Sequence, residues 1–410
     1  MGLIDMLQDV RVWRAFLAYK VEKSHLAPGE LEEWESFIDS GAFRPLAVRM
    51  AEPNFCFDPP KKRRINKTGS DKKRIVYQFG AEESRMLKLM AYLLYRYDGC
   101  MPASCYSFRR TRGAHHAIRT LANTQGISEY YCYKLDISDY FNSIDIARLL
   151  PILREVLADD PPLYAFLARL LTADEAIEDS VLLHEKRGVM AGTPISPFLA
   201  NLYLMELDRH FEALGVPYAR YSDDMIVFAP TWETLIEYRA QLCSLLHRYG
   251  LAVNPKKEAF SVPHAGWEFL GVRYCDGEID LSHATKEKLK GKLRRKARAL
   301  RRWMCRKGAT PEQAMRAYIR IFNKKFFECS DANELTWARW FFPLLTVDTG
   351  LKEIDAYMQQ CLRYIPTGRY GKQNYRTGYG MLKECGYRTL VNAYYAYRAG
   401  KLQLVPATPA

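Results

Sequence analysis

The sequence predicts an α+β fold in which helices pack around an antiparallel sheet. Apolar residues flank Tyr221–Asp224 on both sides, a pattern typical of a β-hairpin with a polar turn. Residues 131–137 form a second apolar strand pattern, which ends in an acid. Apolar residues at spacings of three and four, as in residues 3–22 and 81–97, indicate amphipathic helices. Because a tight turn joins the predicted strands, we expect the sheet to be antiparallel.

Composition narrows the range of partners. The chain has 410 residues, a formal net charge of +13 and a pI near 9.1. This basic excess favours a polyanionic partner, nucleic acid first and an anionic membrane surface second. No run of 18 apolar residues is present, so we expect no transmembrane helix and no membrane partner. The ten cysteines are scattered without a C-x-x-C pair, which predicts reduced thiols and a cytoplasmic location.

The first 55 residues are predicted to form a helical extension. Helical spacing covers residues 3–22, and a second helix is expected over residues 30–38, after Pro28-Gly29. Packing is the expected role of both helices.

A basic hairpin is predicted at residues 61–76. Arg64–Lys67 and Lys72–Tyr77 have strand patterns, and turn residues separate them. Two basic strands can clamp a triphosphate from one side, with Lys as a point charge and Arg as a planar fork. For this stretch taken alone, a solvated charged hairpin is the alternative.

Arginines beside an aromatic residue precede a helix expected over residues 115–121. Arg109 and Arg110 follow Phe108, a combination that suits a nucleic-acid backbone with base stacking. We therefore predict that both arginines contact template or primer.

The strand at residues 131–137 carries Asp136 at its end, where a carboxylate is costly unless it binds something. Residues 138–144 turn away from the strand, and Asp139 is expected to cap that turn. Helices are then expected over residues 146–157 and 162–171. Asp136 is the acid on a separate strand that can meet the acidic hairpin.

Two glycines and two prolines shape a loop at residues 188–197. A loop of small residues allows a base pair to approach the backbone closely. A strong helix is predicted over residues 198–207, with Ser196 at its cap and Pro197 near its start.

The acidic hairpin has two interpretations. Asp is common in polar turns, but adjacent carboxylates repel each other unless a cation binds them. Mg²⁺ prefers carboxylate oxygens, and Asp136 offers a further ligand. The metal site is therefore the favoured interpretation of Asp223 and Asp224.

Basic segments dominate the remaining chain. After a helix expected over residues 231–249, lysines follow in a turn and short strand at 250–257, and a strand and turn follow at 267–272. Residues 286–307 contain twelve Lys and Arg against one Glu, with apolar residues at helical spacing. Such a helix can lie on a membrane or along a nucleic-acid groove, and a solvated face is the ordinary alternative. Residues 357–401 interleave tyrosines with arginines and lysines, which suits single-stranded nucleic acid.

Taken in order, these segments resemble a reverse transcriptase over about residues 60–275. Tyr221–Asp224 is similar to the family's Tyr-x-Asp-Asp box, and Gly192–Pro197 resembles its Gly-x-x-x-Ser-Pro loop. The resemblance implies a right-hand polymerase with fingers, a palm that contains the antiparallel sheet, and an α-helical thumb. One departure is Ala191, which stands where the family usually has Gln.

The resemblance and the residue patterns together define an expected site. The catalytic and metal-binding residues are Asp136, Ile137, Asp223 and Asp224, with Ile137 in the metal set. The expected dNTP-binding residues are Lys67, Arg74, Phe141, Gly192 and Lys257. The expected template- and primer-binding residues are Arg109, Arg110, Ser196, Pro197, Tyr221, Phe269, Leu270, Gly271, Arg294 and Arg298.

The implied chemistry agrees with the residues. Phosphoryl transfer needs charge neutralisation and positioning more than covalent chemistry. Two Mg²⁺ ions per active site would be bridged by Asp136 and Asp223, with Asp224 in support. Phe141 matches the bulky gate that excludes a ribose 2′-hydroxyl, so the expected substrates are dNTPs and the expected product is DNA.

Within the family, Pro194–Leu204 resembles the bacterial lineage derived from group II introns. The sequence contains no recognisable His-Asn-His endonuclease and no Cys-rich DNA-binding module. The pattern favours the defence-associated bacterial reverse transcriptases, which implies antiviral immunity and a cognate noncoding RNA as template. Arg294–Arg302 and the 357–401 segment are expected to hold that RNA. An intron maturase and a catalytically silent RNA-binding protein are the alternatives.

Four regions are predicted from these assignments. They are an N-terminal helical extension (1–55), fingers and palm (56–280), a basic helical thumb (281–350) and a Tyr/Arg-rich RNA-binding region (351–410).

Overall fold

The computed structural model describes residues 2–23, 26, 28–66, 73–328, 336–371 and 377–402. The chain divides into two compact units, one of residues 1–21 and 26–265 and one of residues 22–25 and 266–410. The predicted α+β class is confirmed, since the described ranges contain helices together with three mainly antiparallel sheets. Among the described residues, no helix combines the length and apolar character needed to cross a bilayer.

The elements up to residue 261 follow one another along the chain. The helices are α1 (Leu3–Met6), α2 (Val10–Lys23), α3 (Pro28–Asp39), α4 (Phe43–Met50), α5 (Ala81–Leu94), α6 (Ala114–Ala122), α7 (Tyr140–Ser143), α8 (Ile146–Val156), α9 (Pro161–Thr172), α10 (Ser196–Tyr203), α11 (Met205–Ala213) and α12 (Trp232–Arg248). The strands are β1 (Lys61–Asn66), β2 (Lys73–Gln78), β3 (Tyr131–Asp136), β4 (Glu175–Glu178), β5 (Val181–His184), β6 (Tyr218–Tyr221), β7 (Asp224–Ala229) and β8 (Ala259–Ser261).

The N-terminal helices pack into the core of the first unit. Trp13 on α2 is fully buried, and its ring lies 6.4 Å from that of Trp34 and 5.2 Å from that of Phe43. The helix predicted over residues 3–22 is two helices, α1 and α2. Burial of large aromatic rings gives these helices the packing role expected of them.

The predicted basic hairpin, β1 and β2, is confirmed and is called the fingers hairpin below. It pairs in antiparallel register, with Arg64 opposite Ile75 and Ile65 opposite Arg74. The sheet order is β2-β1-β4-β5, and β4 and β5 were not predicted. Both are four-residue strands; β4 has one buried residue and β5 is largely exposed, so neither has the repeated buried alternation that identifies a strand.

The central sheet has the order β6-β7-β3-β8 and is antiparallel throughout. β3 and β7 lie in its middle, and the apolar residues Met225–Ala229 of β7 are fully buried. The predicted hairpin and the predicted partner strand therefore belong to one sheet.

The segment from residue 196 to 213 differs from the prediction. Ser196 is the first residue of α10 rather than its cap, and the helix breaks at Leu204 before α11 begins. The Ser196 hydroxyl lies 2.6 Å from the carbonyl oxygen of Val189 and 2.7 Å from that of Met190. Ser196 therefore closes the preceding loop, and the helix start is left without a side-chain cap.

Asp139 also differs from its predicted role. It precedes α7 with a φ of 44°, but its side chain caps no amide of that helix. Its Oδ1 instead accepts a hydrogen bond from Nδ2 of Asn142 (3.1 Å).

The second unit contains a small sheet followed by helices. Its elements are β9 (Trp267–Phe269), β10 (Val272–Cys275), β11 (Glu278–Leu281), α13 (His283–Lys307), α14 (Pro311–Phe326), α15 (Trp337–Phe341), α16 (Thr349–Thr367), α17 (Tyr379–Glu384) and α18 (Leu390–Arg398). The predicted basic helix is α13, which starts three residues before the predicted segment. Its apolar residues Leu289, Leu293 and Ala297 are buried, as the helical spacing indicated.

Candidate active site

The acidic tetrapeptide forms the turn between β6 and β7. Tyr221 pairs with Asp224, so the two turn residues are Ser222 and Asp223, and Asp224 begins β7. Ser222 has a φ of 61°, as the first turn residue of a type II′ hairpin does. The prediction that both acids lie at the turn is wrong for Asp224, because a two-residue turn leaves this residue in the strand.

Asp136 lies opposite this hairpin, at the end of β3. It is the register partner of Asp224, and the amide of Ile137 donates to the carbonyl oxygen of Asp223 (3.1 Å). Asp136 is only 3% exposed, and its carboxylate is paired with the ammonium group of Lys257. The antiparallel register thus brings three acids to one end of the central sheet.

A cavity of about 590 Å³ opens beside the acids. Asp136 and Asp223 line it together with Arg74 of the fingers hairpin, Phe141 and Gly192. Four further predicted or neighbouring residues line it as well: Phe108, Ile137, Ser196 and Pro197. Most residues predicted to touch metal or nucleotide therefore share one cavity.

Burial and mutual repulsion perturb the acids. Burial raises the pKa of Asp223, and the charge of Asp136 raises it further. Burial also raises the pKa of Asp224 to about 6; Lys134 opposes this shift, and the charges of Asp223 and Asp136 add to it. Burial opposes the charge of Lys257, but its hydrogen bond with Asp136 raises the ammonium pKa overall. A bound cation would relieve this repulsion.

The donor set fits a hard divalent cation, although the acids are not gathered around one point. No group of three or more His, Cys, Asp or Glu side chains is arranged as a metal site in the parts of the chain that the structure describes. Asp136 is paired with Lys257 instead. Carboxylate oxygens are the ligands that Mg²⁺ prefers, so Asp136, Asp223 and Asp224 suit it chemically.

A buried ion pair holds the hairpin at its base. Arg220 and Asp208 are both fully buried, and their nearest N–O distance is 2.5 Å. Arg220 also donates to the carbonyl oxygen of Ser222 (3.4 Å) and to Oδ1 of Asn201 (3.3 Å). Burial opposes the charge of Arg220, but the Asp208 carboxylate outweighs it and raises the guanidinium pKa. If the two side chains separated, each would be a buried unpaired charge, which is strongly unfavourable. The pair therefore stays together and fixes the local geometry.

Ser107 supports the turn by a second route. Its buried hydroxyl accepts from the amide of Ser222 (2.9 Å) and donates to Oδ1 of Asn201 (2.9 Å). Nδ2 of Asn201 returns a hydrogen bond to the Ser107 carbonyl (2.7 Å). The sequence patterns assign no role to Ser107, Asn201, Arg220 or Asp208, because a buried polar residue gives no local signal of its partner.

The loop at residues 188–197 contacts two other segments that line the cavity. A Cβ placed on Gly192, whose φ is 99°, would lie 3.1 Å from Cβ of Val76 in the fingers hairpin. The amide of Val189 donates to the carbonyl oxygen of Phe141 (2.9 Å). Glycine therefore allows the close approach that brings Arg74 and Phe141 into the same cavity.

Arg109 and Arg110 make contacts within the chain. The guanidinium group of Arg109 donates to three backbone carbonyls at 2.7–3.2 Å. That of Arg110 lies 4.6 Å from the ring centroid of Tyr92 and 4.8 Å from that of Tyr95. Their contact with template or primer stays a prediction.

The other predicted residues lie elsewhere. Phe269 ends β9 with its ring fully buried, and Leu270 and Gly271 form the turn to β10 with φ values of 48° and 91°. Arg294 and Arg298 are exposed on α13. These five residues belong to the second unit, and their roles stay predictions. Lys67 lies outside the described residues.

An antiparallel sheet that brings aspartates beside a basic hairpin is typical of a polymerase palm with fingers. The family model for "Reverse transcriptase (RNA-dependent DNA polymerase)" matches residues 65–274. The chain belongs to the reverse transcriptase family.

Several bacterial proteins are similar to parts of the chain. The retron Mx65 reverse transcriptase of Myxococcus xanthus is 30% identical over 176 residues, which cover 40% of this chain and 41% of the relative. The retron Ec86 reverse transcriptase of Escherichia coli is 23% identical over 235 residues, 56% of this chain and 67% of the relative. The chain thus spans under half of the first relative and about two thirds of the second.

Solved telomerase structures are also similar. Apo telomerase from Candida tropicalis, truncated from the C-terminal domain, has a TM-score of 0.45 and 14% identity, and the match covers 64% of this chain and 63% of that chain. Telomerase from Candida albicans in complex with a TWJ fragment of telomeric RNA has a TM-score of 0.45 and 12% identity, with coverage of 81% and 62%.

Proposed function

We propose that the protein is an RNA-directed DNA polymerase that makes cDNA by nucleotidyl transfer with two Mg²⁺ ions. The observation that carries this proposal is the single cavity lined by Asp136, Asp223, Arg74, Phe141 and Gly192. It combines carboxylates for cations, a guanidinium group for a triphosphate and an aromatic wall. These are the parts that phosphoryl transfer requires, since the reaction depends on positioning and charge neutralisation.

The basic side chains receive the triphosphate in this proposal. Arg74 binds phosphate oxygens as a planar fork, and Lys67 on the same hairpin is assigned the same ligand. Lys257 neutralises Asp136 in this structure, and we assign its ammonium to the leaving phosphates. Phe141 blocks the ribose 2′-hydroxyl, which makes dNTPs the substrates.

The acids hold the metal ions. Asp136, Asp223 and Asp224, together with the Ile137 residue that follows Asp136, are the proposed ligands. Bound Mg²⁺ would neutralise charge and lower the pKa of the primer 3′-hydroxyl. The Ile137 amide and the Arg220–Asp208 pair keep the acids in place, because they hold the backbone of the turn.

Primer extension on an RNA template with dNTPs and Mg²⁺ tests the proposal. The variant Asp223→Ala/Asp224→Ala is expected to lose activity by about a thousandfold or more, since metal binding contributes several kcal/mol. Glu32→Ala/Glu33→Ala, an exposed acidic pair on α3, is the matched control and should retain activity. If the wild-type protein incorporates no dNTP, or the two double variants behave alike, the polymerase proposal fails and a silent RNA-binding protein is favoured.

Thermal unfolding tests the metal site separately. Mg²⁺ should raise the Tm of the wild-type protein and of the Glu32→Ala/Glu33→Ala control, because a ligand that binds the native state stabilises it. The increase should be much smaller in Asp223→Ala/Asp224→Ala. An equal increase in all three would contradict the proposed ligands.

We assign RNA binding to the second unit. Arg298, Arg302 and Arg306 of α13 line a cavity of about 460 Å³ together with Tyr364. The Tyr364 ring stacks on that of Tyr370 at 4.8 Å, and Tyr370 is 49% exposed. Cations beside exposed stacked rings suit a single strand of RNA.

Charge reversal tests this assignment. Arg298→Glu/Arg302→Glu should weaken RNA binding and reduce its salt dependence, since fewer phosphate charges are neutralised. Arg320→Glu/Lys324→Glu, an exposed pair on α14, makes the same charge change elsewhere and serves as the control. Equal losses in the two variants would show a general charge effect and contradict the assignment.

We further propose a role in antiviral defence, with a cognate noncoding RNA as template. The support is the resemblance to defence-associated enzymes and the similarity to two retron reverse transcriptases. Phage plaque counts should fall with the wild-type protein and not with Asp223→Ala/Asp224→Ala. If the wild-type protein and this variant protect equally, catalysis is not required for the defence role. Sequencing the RNA that copurifies should identify one abundant structured RNA.

A further inference from the structure

Phe108 lines the cavity beside the proposed sugar gate. It is 41% exposed, and it borders the same cavity as Asp136 and Asp223. Its ring centroid lies 6.4 Å from that of Phe141, edge to face, and 6.3 Å from that of Tyr221. One exposed ring therefore touches both the gate and the first residue of the acidic tetrapeptide.

The backbone holds Phe108 in an unusual conformation. Its φ is 54°, in the left-handed region that bulky residues rarely adopt. Both neighbours are locked: the Ser107 hydroxyl is hydrogen-bonded to Ser222 and Asn201, and Arg109 is held by three carbonyls. Strain of this kind persists where the surrounding structure determines it, and it is concentrated at functional sites.

Phe108 and the proposed gate residue Phe141 line the same cavity, and their rings are in contact. The Phe141 backbone is fixed by the Val189 amide, but its side chain has aromatic contacts only with Tyr140 and Phe108 among the described residues. Tyr140 is 2% exposed, whereas Phe108 faces the open cavity. A ring that rejects a hydroxyl by collision is effective only when it cannot move aside, so its neighbour contributes to the rejection.

We propose that Phe108 is a specificity-determining residue that holds the Phe141 ring in place and so sets the discrimination between dNTPs and rNTPs. This inference rests on the proposed function, because it concerns the nucleotide bound in the same cavity. It assigns the discrimination to a pair of rings from two distant chain segments.

Single-nucleotide incorporation opposite an RNA template tests the pair. The measured quantity is kcat/KM for a dNTP divided by kcat/KM for the matching rNTP. In Phe108→Ala the ratio should fall about tenfold or more, the size of effect that one apolar wall produces. In Phe108→Leu, which keeps a bulky side chain, the ratio should fall less than in Phe108→Ala. Phe260→Ala is the control, since Phe260 is 42% exposed and packs on Tyr133 and Trp232 instead.

The ratio separates specificity from structural damage, which lowers both kcat/KM values together. Phe141→Ala should reduce the ratio more than Phe108→Ala. The double variant should equal Phe141→Ala, because the two rings act as one unit. An unchanged ratio in Phe108→Ala, or a further fall in the double variant, overturns the inference while the polymerase proposal stands. A wild-type protein that incorporates neither nucleotide overturns both.

Discussion

The acidic turn and the fingers hairpin are both charged hairpins of the first unit, but each has an arginine whose ion pair lies in different surroundings. The ion pair at the base of the acidic turn, Arg220 with Asp208, has both side chains fully buried. In the fingers hairpin, Arg64 pairs with Glu178 at 2.8 Å while its own side chain is 55% exposed. A buried pair must keep its partners, whereas an exposed one exchanges them with water.

This difference corresponds to the proposed tasks of the two hairpins. Metal ligands need fixed positions, and the Ser222 turn is held by Arg220 and by Ser107. A triphosphate must enter and leave, and Arg74 lies exposed on the edge of the cavity. The same residue types therefore serve rigid and adaptable roles according to their burial.

The largest expected effect comes from breaking the buried pair. Asp208→Ala should lower the free energy of unfolding by about 3–5 kcal/mol, because Arg220 is left charged and buried. Urea denaturation measures this loss.

A companion variant sharpens the test. Asp208→Leu/Arg220→Met should recover most of that stability, since apolar replacement of a buried pair is often neutral. Primer extension by this double variant should stay below that of the wild-type protein, because the Ser222 carbonyl oxygen has lost the hydrogen bond from Arg220. Full recovery of activity would show that the pair contributes stability alone.

A smaller effect is expected from Ser107→Ala, which leaves the Ser222 amide without its acceptor. The unfolding free energy should fall by about 1–3 kcal/mol. In primer extension kcat should fall while KM for dNTP changes little, because the turn carries the proposed metal ligands. Ser40→Ala, whose hydroxyl donates to the Phe37 carbonyl, is the control and should leave kcat unaltered.

Gly192→Ala tests the contact between the loop and the fingers hairpin. A side chain at its φ of 99° should cost about 1–2 kcal/mol, and crowding against Val76 should raise KM for dNTP. Gly215→Ala is the control. Gly215 has a φ of 66°, and no atom lies within 4 Å of a Cβ added there, so this variant measures the effect of backbone strain without crowding. Equal KM values in the two variants would contradict a role for the close approach.

The smallest effect is expected at the surface pair. Glu178→Gln should lower the free energy of unfolding far less than Asp208→Ala does, because Arg64 is more than half exposed and the pair is screened by water. Adding salt should make the difference smaller still. A loss as large as that of Asp208→Ala would remove the distinction between the hairpins.

The local elements were largely predictable from sequence, because period and turn chemistry are local properties. The strand ending in Asp136, the hairpin around Asp223 and the basic helix α13 were all found in this way. The break at Leu204 and the strands β4 and β5 were missed, since no local pattern distinguishes them.

The amino-acid sequence by itself predicted the acids, the basic residues and the proposed gate residue, because their types, their order and the family resemblance that they carry are all properties of the sequence. Tertiary structure alone decided that Asp136 and Asp224 are register partners and that Arg109 is held by three carbonyls. It also decided that Phe108 packs on Phe141. The physical reason is that the charge of a residue and the spacing of apolar residues are local properties of the sequence. Burial and hydrogen-bond partners depend instead on segments that are tens of residues away along the chain.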